Sequence, residues 1–351
     1  MRRRDRIDCA SEEIHDLEAL RAYPWLRELR LRVASPHGSA ELTLTDLSPL
    51  AELRELEVFE VPRSRVADLA PLAGLVGLRQ LDLSRTRVSD LRPLAGLSRL
   101  ASLRLAESPV EDLSPLSGLS ELAELDVAGT RVGSLEPLRG LSRLRALDVR
   151  DTPVRDLTPV ADLPAVRDAH RIDLSGAWVE DLGALRSATA LEVLRLGGTR
   201  ARDLTPLSGL ATLRALSLAG TPVADLGPLA ALSGLTELNL SQTAVADLEP
   251  LSGLSGLDEL VLAEAPVTDV APLTGLGSLL ELQLQGTRVE AVEPLTALAQ
   301  LQGLNLSRTP VRDVAALAAL RNLQWIDLSG TGVRRDSVTA LRRRRPDLQV
   351  L

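Results

Sequence analysis

Leucine recurs along this chain in a frame that neither one helix nor one strand explains. A single copy reads Leu213-x-x-Leu216-x-Leu218-x-x-Thr221-x-Val223-x-Asp225-Leu226-x-Pro228-Leu229-x-x-Leu232. With the second leucine as marker, the counterparts fall at Leu56, Leu81, Leu103, Leu125, Leu147, Ile172, Leu194, Leu216, Leu238, Leu260, Leu282, Leu304 and Ile326. The spacing is 22 residues, with two steps of 25. Leu216-x-Leu218 alternates with period two, so its leucines share one face and the residues between them share the other. That predicts a short strand in every copy. Copies of this length repeat one supersecondary unit, and their strands stack in parallel about 4.8 Å apart.

The second half of each copy closes the coil. Pro228 suits the first turn of a short helix or 3-10 turn, where its missing N–H removes a donor that has no partner anyway. Asp225, just ahead, can accept from the orphan N–H groups of that turn. The same column holds Asp46, Asp68, Asp90, Asp112, Asp156, Asp181, Asp203, Asp247, Asp269 and Asp313. These eleven carboxylates outnumber the net charge of −8, so overall acidity says little about a basic partner. A threonine column (Thr86, Thr130, Thr152, Thr199, Thr221, Thr243, Thr287, Thr309, Thr331) places hydroxyls where they can serve backbone groups after the strand. These threonines read as structural, not nucleophilic.

This repeat resembles the 22-residue repeat of bacterial internalins, and is similar to that of phosphatase-regulatory leucine-rich proteins, over about residues 42 to 333. Threonine stands where such repeats usually carry Asn. The resemblance implies an α/β solenoid: a right-handed leucine-rich-repeat superhelix with a parallel concave β-sheet and short helical or 3-10 turns on the convex side. It also implies a non-enzymatic protein-binding scaffold that grips its partner on the concave face. A regulatory or inhibitory subunit of an enzyme is the alternative.

Solenoids need covered ends. Residues 1–25 read as an N-terminal helical cap, with Ser11-Glu12-Glu13 ahead of Ile14, Leu17 and Leu20. Residues 26–333 form the solenoid, and 334–351 a C-terminal cap, in which Asp336 starts a helix and Leu348–Leu351 adds a strand. Arg342 to Arg345 sit at that helix's C-terminus, where cations are favourable, and no aromatics are interleaved with them. They read as a solvated cap rather than a nucleic-acid or membrane patch. Two irregularities interrupt the frame, an enlarged loop at Phe59–Arg65 and three added residues near His170. Trp178 follows the second, on the rim, where an exposed ring can anchor a partner.

Composition narrows the chemistry. The chain is 45% hydrophobic but has one Phe, one Tyr and three Trp, which suits many small identical core layers. All 40 basic residues are arginine, so no phosphate loop with its lysine exists. Cys9 stands alone, and His15, His37 and His170 fall far apart in the repeat frame. No catalytic residue, cofactor or metal is therefore expected. No apolar run follows Arg2–Arg4 as a signal peptide requires, and none approaches the roughly 18 residues of a membrane span. The expectation is a cytoplasmic monomer whose partner is another protein with basic groups, not nucleic acid or membrane.

The open strand positions remain as the candidate surface. Asp126, Asp148 and Asp173 are expected to stack on successive strands, flanked by Arg104 and Arg195. Adjacent like charges cost about 0.2–1 kcal/mol per pair. This ladder is either self-neutralised or a preformed site for cations. Glu237, Glu259 and Glu281 make a second acidic line without an arginine escort. Trp325 continues their column, either as an exposed anchor or packed against the C-terminal cap.

Overall fold

The computed structural model describes residues 5–10, 14, 16–33 and 41–351. Ser11–Glu13, His15 and His37 lie outside the described residues. From residue 58 to residue 319 each repeat contributes one strand, one left-handed corner and one 3-10 turn. The strands form two all-parallel sheets, in chain order within each. The first comprises β1 (Arg6–Ala10), β2 (Glu28–Arg32), β3 (Val58–Glu60), β4 (Gln80–Asp82), β5 (Ser102–Arg104), β6 (Glu124–Asp126) and β7 (Ala146–Asp148). The second comprises β8 (Arg171–Asp173), β9 (Val193–Arg195), β10 (Ala215–Ser217), β11 (Glu237–Asn239), β12 (Glu259–Val261), β13 (Glu281–Gln283), β14 (Gly303–Asn305), β15 (Trp325–Asp327) and β16 (Gln349–Val350). They belong to two compact units, one of residues 1–169 with 177–179, the other of residues 170–176 with 180–351. Between the sheets the chain passes through helix α1 (Pro164–Arg167), where the copy is three residues longer.

Every apolar position of the copy points into the coil: Leu213, Leu216, Leu218, Val223, Leu226, Leu229 and Leu232 are all buried. Burying each such side chain contributes about 1.5–3 kcal/mol. Polar positions then satisfy the backbone where the coil turns. In the aspartate column all eleven carboxylates accept a backbone N–H from two residues ahead, at 2.7–2.9 Å. Each of the nine threonines donates its hydroxyl to the carbonyl three residues back, at 2.6–2.7 Å. The residue before each threonine holds the coil's left-handed corner. Gly220 does so at φ +69° and Arg85 at φ +57°; Glu107, ahead of Ser108, also adopts φ +57° and pairs with Arg85 across adjacent coils at 2.5 Å.

Two copies lack the aspartate: Ser134 still accepts the Glu136 N–H through its hydroxyl at 3.3 Å, whereas Ala291, exposed ahead of the turn Glu293–Ala297, has no side-chain acceptor. Ala291→Asp should supply the missing acceptor and raise stability by about 1 kcal/mol in denaturant titration. No gain would show that the N–H of Glu293 is already satisfied.

The ends and one early copy differ from the sequence reading. Among its described residues the N-terminal segment holds no α-helix. Arg6–Ala10 is a strand paired with β2, Cys9 opposite Leu31, and Glu18–Ala22 is a single 3-10 turn. Nor is Phe59–Arg65 an enlarged loop. Phe59 sits in β3 opposite Leu29 and Leu81, fully buried, so Phe59 and not Leu56 is the marker residue of that copy. Ser64 takes the threonine position, and the extra length falls earlier, between Leu31 and Leu42.

At the C-terminus, helix α2 (Arg335–Arg344) begins after Arg334, so Asp336 lies in its first turn and is not its cap. Ser337 docks the helix on the preceding coil, donating to Asp313 at 2.7 Å and accepting from the Val314 N–H at 2.9 Å. Gln349–Val350 adds the final strand. Of the four-arginine run, Arg342–Arg344 are exposed but Arg345 is buried.

Candidate functional site

The strand's period of two leaves two side chains per copy on the open face of each sheet, and their partners differ between the units. On the first sheet the charges are woven together. Arg30 bridges Glu28 and Glu60, meeting the latter at 2.8 Å, and Arg32 reaches Glu60 at 3.3 Å. Arg104 lies 4.0 Å from Asp82, and Arg150 pairs with Asp148 at 2.5 Å.

Asp126 and Asp148 face each other in register on β6 and β7. Asp173 does not extend that stack: it opens the second sheet, paired with Arg195 on β9 at 3.8 Å. The three carboxylates share a local task that the sequence reading missed. Each accepts the backbone N–H two residues on, from Ala128, Arg150 and Ser175, at 3.0–3.1 Å. Asn239 and Asn305 do the same in their copies. The presence of Asn, Asp and Ser in one column, residues that form such local turns, was the available signal. Burial, then the neighbouring Asp148, pushes the Asp126 carboxyl up despite its bond from Ala128.

The second sheet presents something different. Glu237, Glu259 and Glu281 are register partners on β11, β12 and β13. Among the described residues, none of the three has an ion-pair partner. Beside them opens a hollow of about 360 Å³, walled by Arg171, Arg195 and Arg214 on one side and Glu237 and Glu259 on the other. Its floor is made of small side chains, Ala215 and Ser217 among them. Arg214 was not legible as a site residue, because it precedes its strand and the alternation does not fix its direction.

Trp325 stands on β15 opposite Gln349 of the C-terminal strand. It is half-buried, and its indole N–H donates to the Glu281 carboxylate. The two meet over β14 because Gly303 lies between them. A Cβ at that position would collide with Glu281 and come within 2.5 Å of the indole ring. A glycine inside a strand marks close approach of this kind. Burial raises the Glu281 carboxyl above its ordinary 4.5, with Glu259 adding to the shift and the indole bond opposing it. A carboxyl raised on folding favours the fold while protonated, and that contribution is lost as pH rises through the folded value. Glu281→Gln, whose amide oxygen can still accept from Trp325, should therefore unfold at higher denaturant than wild type at pH 7. The gap should close below about pH 4. A gap independent of pH would exclude the carboxyl as its source.

Trp178 is 42% exposed, its ring covered by the Arg155 guanidinium at 5.5 Å, while its backbone N–H donates to the Thr152 carbonyl. Among the described residues, no group of three or more His, Cys, Asp or Glu could hold a metal ion. No described helix is long and apolar enough to cross a membrane.

Parallel one-strand coils closed by 3-10 turns match known structures over most of the chain. An internalin, inlF, from Listeria monocytogenes is 27% identical over 83% of this chain and 86% of its own, with a TM-score of 0.74. The chain is a leucine-rich-repeat solenoid. A leucine-rich-repeat protein of Leptospira interrogans shares this solenoid fold at 18% identity, over 95% of this chain and 86% of that one, with a TM-score of 0.81. The functional domain of InlJ from Listeria monocytogenes does so at 18% identity, over 93% and 73%, with a TM-score of 0.70. No protein-family model and no curated protein matches the sequence. The solenoid's 22-residue repeats are thus similar in structure to those of the internalins.

Proposed function

We propose that this solenoid is a non-enzymatic protein-binding scaffold that takes its partner on the open face of the second sheet. The observation that carries the reading is the row Glu237, Glu259 and Glu281. These are like charges in register on neighbouring strands. Such pairs cost about 0.2–1 kcal/mol each when nothing compensates them. Arg30 and Arg32, Arg104 and Arg150 answer carboxylates on the first sheet, whereas no arginine answers this row and only Glu281 has a donor, the Trp325 indole. A partner bearing Lys or Arg groups relieves the repulsion on binding, which gives the surface a driving force beyond the contact itself. The parallel sheet holds the row rigidly, so little is lost to ordering. Trp178 offers a separate exposed anchor on the first unit. The reading places the protein in the cytoplasm, as a monomer before it meets its partner.

The test is anisotropy of a fluorescent hexa-arginine peptide at low salt. The variant Glu237→Gln/Glu259→Gln/Glu281→Gln should weaken binding at least ten-fold. A charge-matched variant on the turns, Glu249→Gln/Glu290→Gln/Glu293→Gln, should change it less than three-fold. Equal losses in the two variants would reduce the binding to net charge and remove the acidic row from the proposal.

A further inference from the structure

The arginines beside the glutamate row are as notable as the row. Arg171 has no ion-pair partner among the described residues. Arg195 is 3.8 Å from Asp173, a carboxylate already accepting both the N–H and the hydroxyl of Ser175. Arg214 donates one N–H to the Gly234 carbonyl at 3.2 Å, which leaves most of its five donors unused. Positive and negative groups thus line opposite walls of one hollow without closing on each other: no ion pair joins Arg214 to Glu237 or Glu259, although all three border it. The sheet fixes where their stems leave the backbone, and the small floor at Ala215 and Ser217 keeps the space between them open.

We infer that this hollow reads charge order: it takes an extended segment of a partner protein whose acidic and basic residues are segregated into two short blocks. The carboxylates of one block lie over Arg171, Arg195 and Arg214, and the Lys or Arg groups of the other over Glu237, Glu259 and Glu281. This rests on the reading of the second sheet as the binding face and specifies what that face selects. Strands about 4.8 Å apart put β9 and β13 roughly 19 Å from each other, which an extended chain at about 3.3 Å per residue crosses in about six residues. A segment with alternating charges has the same net charge but sets carboxylates against the glutamates and cations against the arginines, and like-charge contacts reject it. The same geometry disfavours nucleic acid, whose phosphates would suit the arginine wall but run onto the glutamate row.

Three labelled eight-residue peptides of one composition test this at low salt: three Glu, two Gly and three Arg in blocks, the reverse block order, and an alternating order. At least one block peptide should bind wild type five-fold or more tighter than the alternating one. Arg195→Glu/Arg214→Glu should abolish that preference while leaving hexa-arginine binding at least as tight as in wild type. Circular dichroism melts confirm that the variant is folded. A block advantage below five-fold, or one that survives the arginine reversal, overturns the inference. Hexa-arginine binding that still depends on the glutamate row would then show that the scaffold reading stands and only the charge-order reading has failed.

Discussion

Phe59→Ala should lower stability by about 3–5 kcal/mol, the range for deleting a fully buried phenyl group from a packed core. Phe59 is the chain's sole phenylalanine and is completely buried at the marker position of its strand, paired with Leu29 on one side and Leu81 on the other. The cavity cannot collapse easily, because each coil is held by backbone bonds to both neighbours. Phe59→Leu returns the copy to the residue type used elsewhere in the column and should cost less than about 1.5 kcal/mol, as conservative hydrophobic swaps do. Equilibrium denaturation of both variants gives the comparison. Similar small losses in both would mean that Phe59 is not a core residue and that the register at β3 is otherwise.

Arg345→Ala should loosen the last coil and cost roughly 2–4 kcal/mol, from lost charge-assisted bonds and acceptors left unsatisfied. The buried guanidinium donates to the Leu320 carbonyl, to the Leu323 carbonyl at 2.7 Å, and to Asp347 at 2.7 and 3.1 Å. The bonds to Asp347 raise its pKa further, so it remains charged at every accessible pH. Without it the Leu320 carbonyl keeps only a long 3.3 Å bond from the Leu323 N–H. Arg345→Lys should recover less than half of the loss, because a single ammonium cannot reproduce the planar fork. Arg343→Ala, exposed in the same run, should stay within about 0.5 kcal/mol. Since coils of a solenoid contact only their neighbours, hydrogen exchange should show the damage confined to β15, β16 and α2. Loss spread evenly over the second unit would contradict that locality.

These two residues also mark where sequence reading succeeds and fails. The strands, the turns, the aspartate acceptors and the threonine donors were all legible, because each is local and repeats in a fixed frame. A column that recurs eleven times carries its own explanation. The misassignment at Phe59 arose where the repeat is imperfect: Leu56 and Phe59 are both apolar, and only the pairing partner decides which one lies on the marker column. The N-terminal strand was hidden for a related reason, since a single terminal copy has no second instance to align with. Within the candidate surface, the unescorted glutamate row could be read from the chain, but the roles of Arg214 and Gly303 could not.

The chain by itself therefore determined the solenoid, since a 22-residue period with two apolar strand positions permits only stacked coils, and it determined which side chains close each turn. Which open-face charges pair with one another was decided by tertiary structure. Side-chain direction next to a strand and the gap that Gly303 leaves for Trp325 and Glu281 depend on contacts between different coils. Ion pairing acts over a few ångströms of space and leaves no period in the sequence.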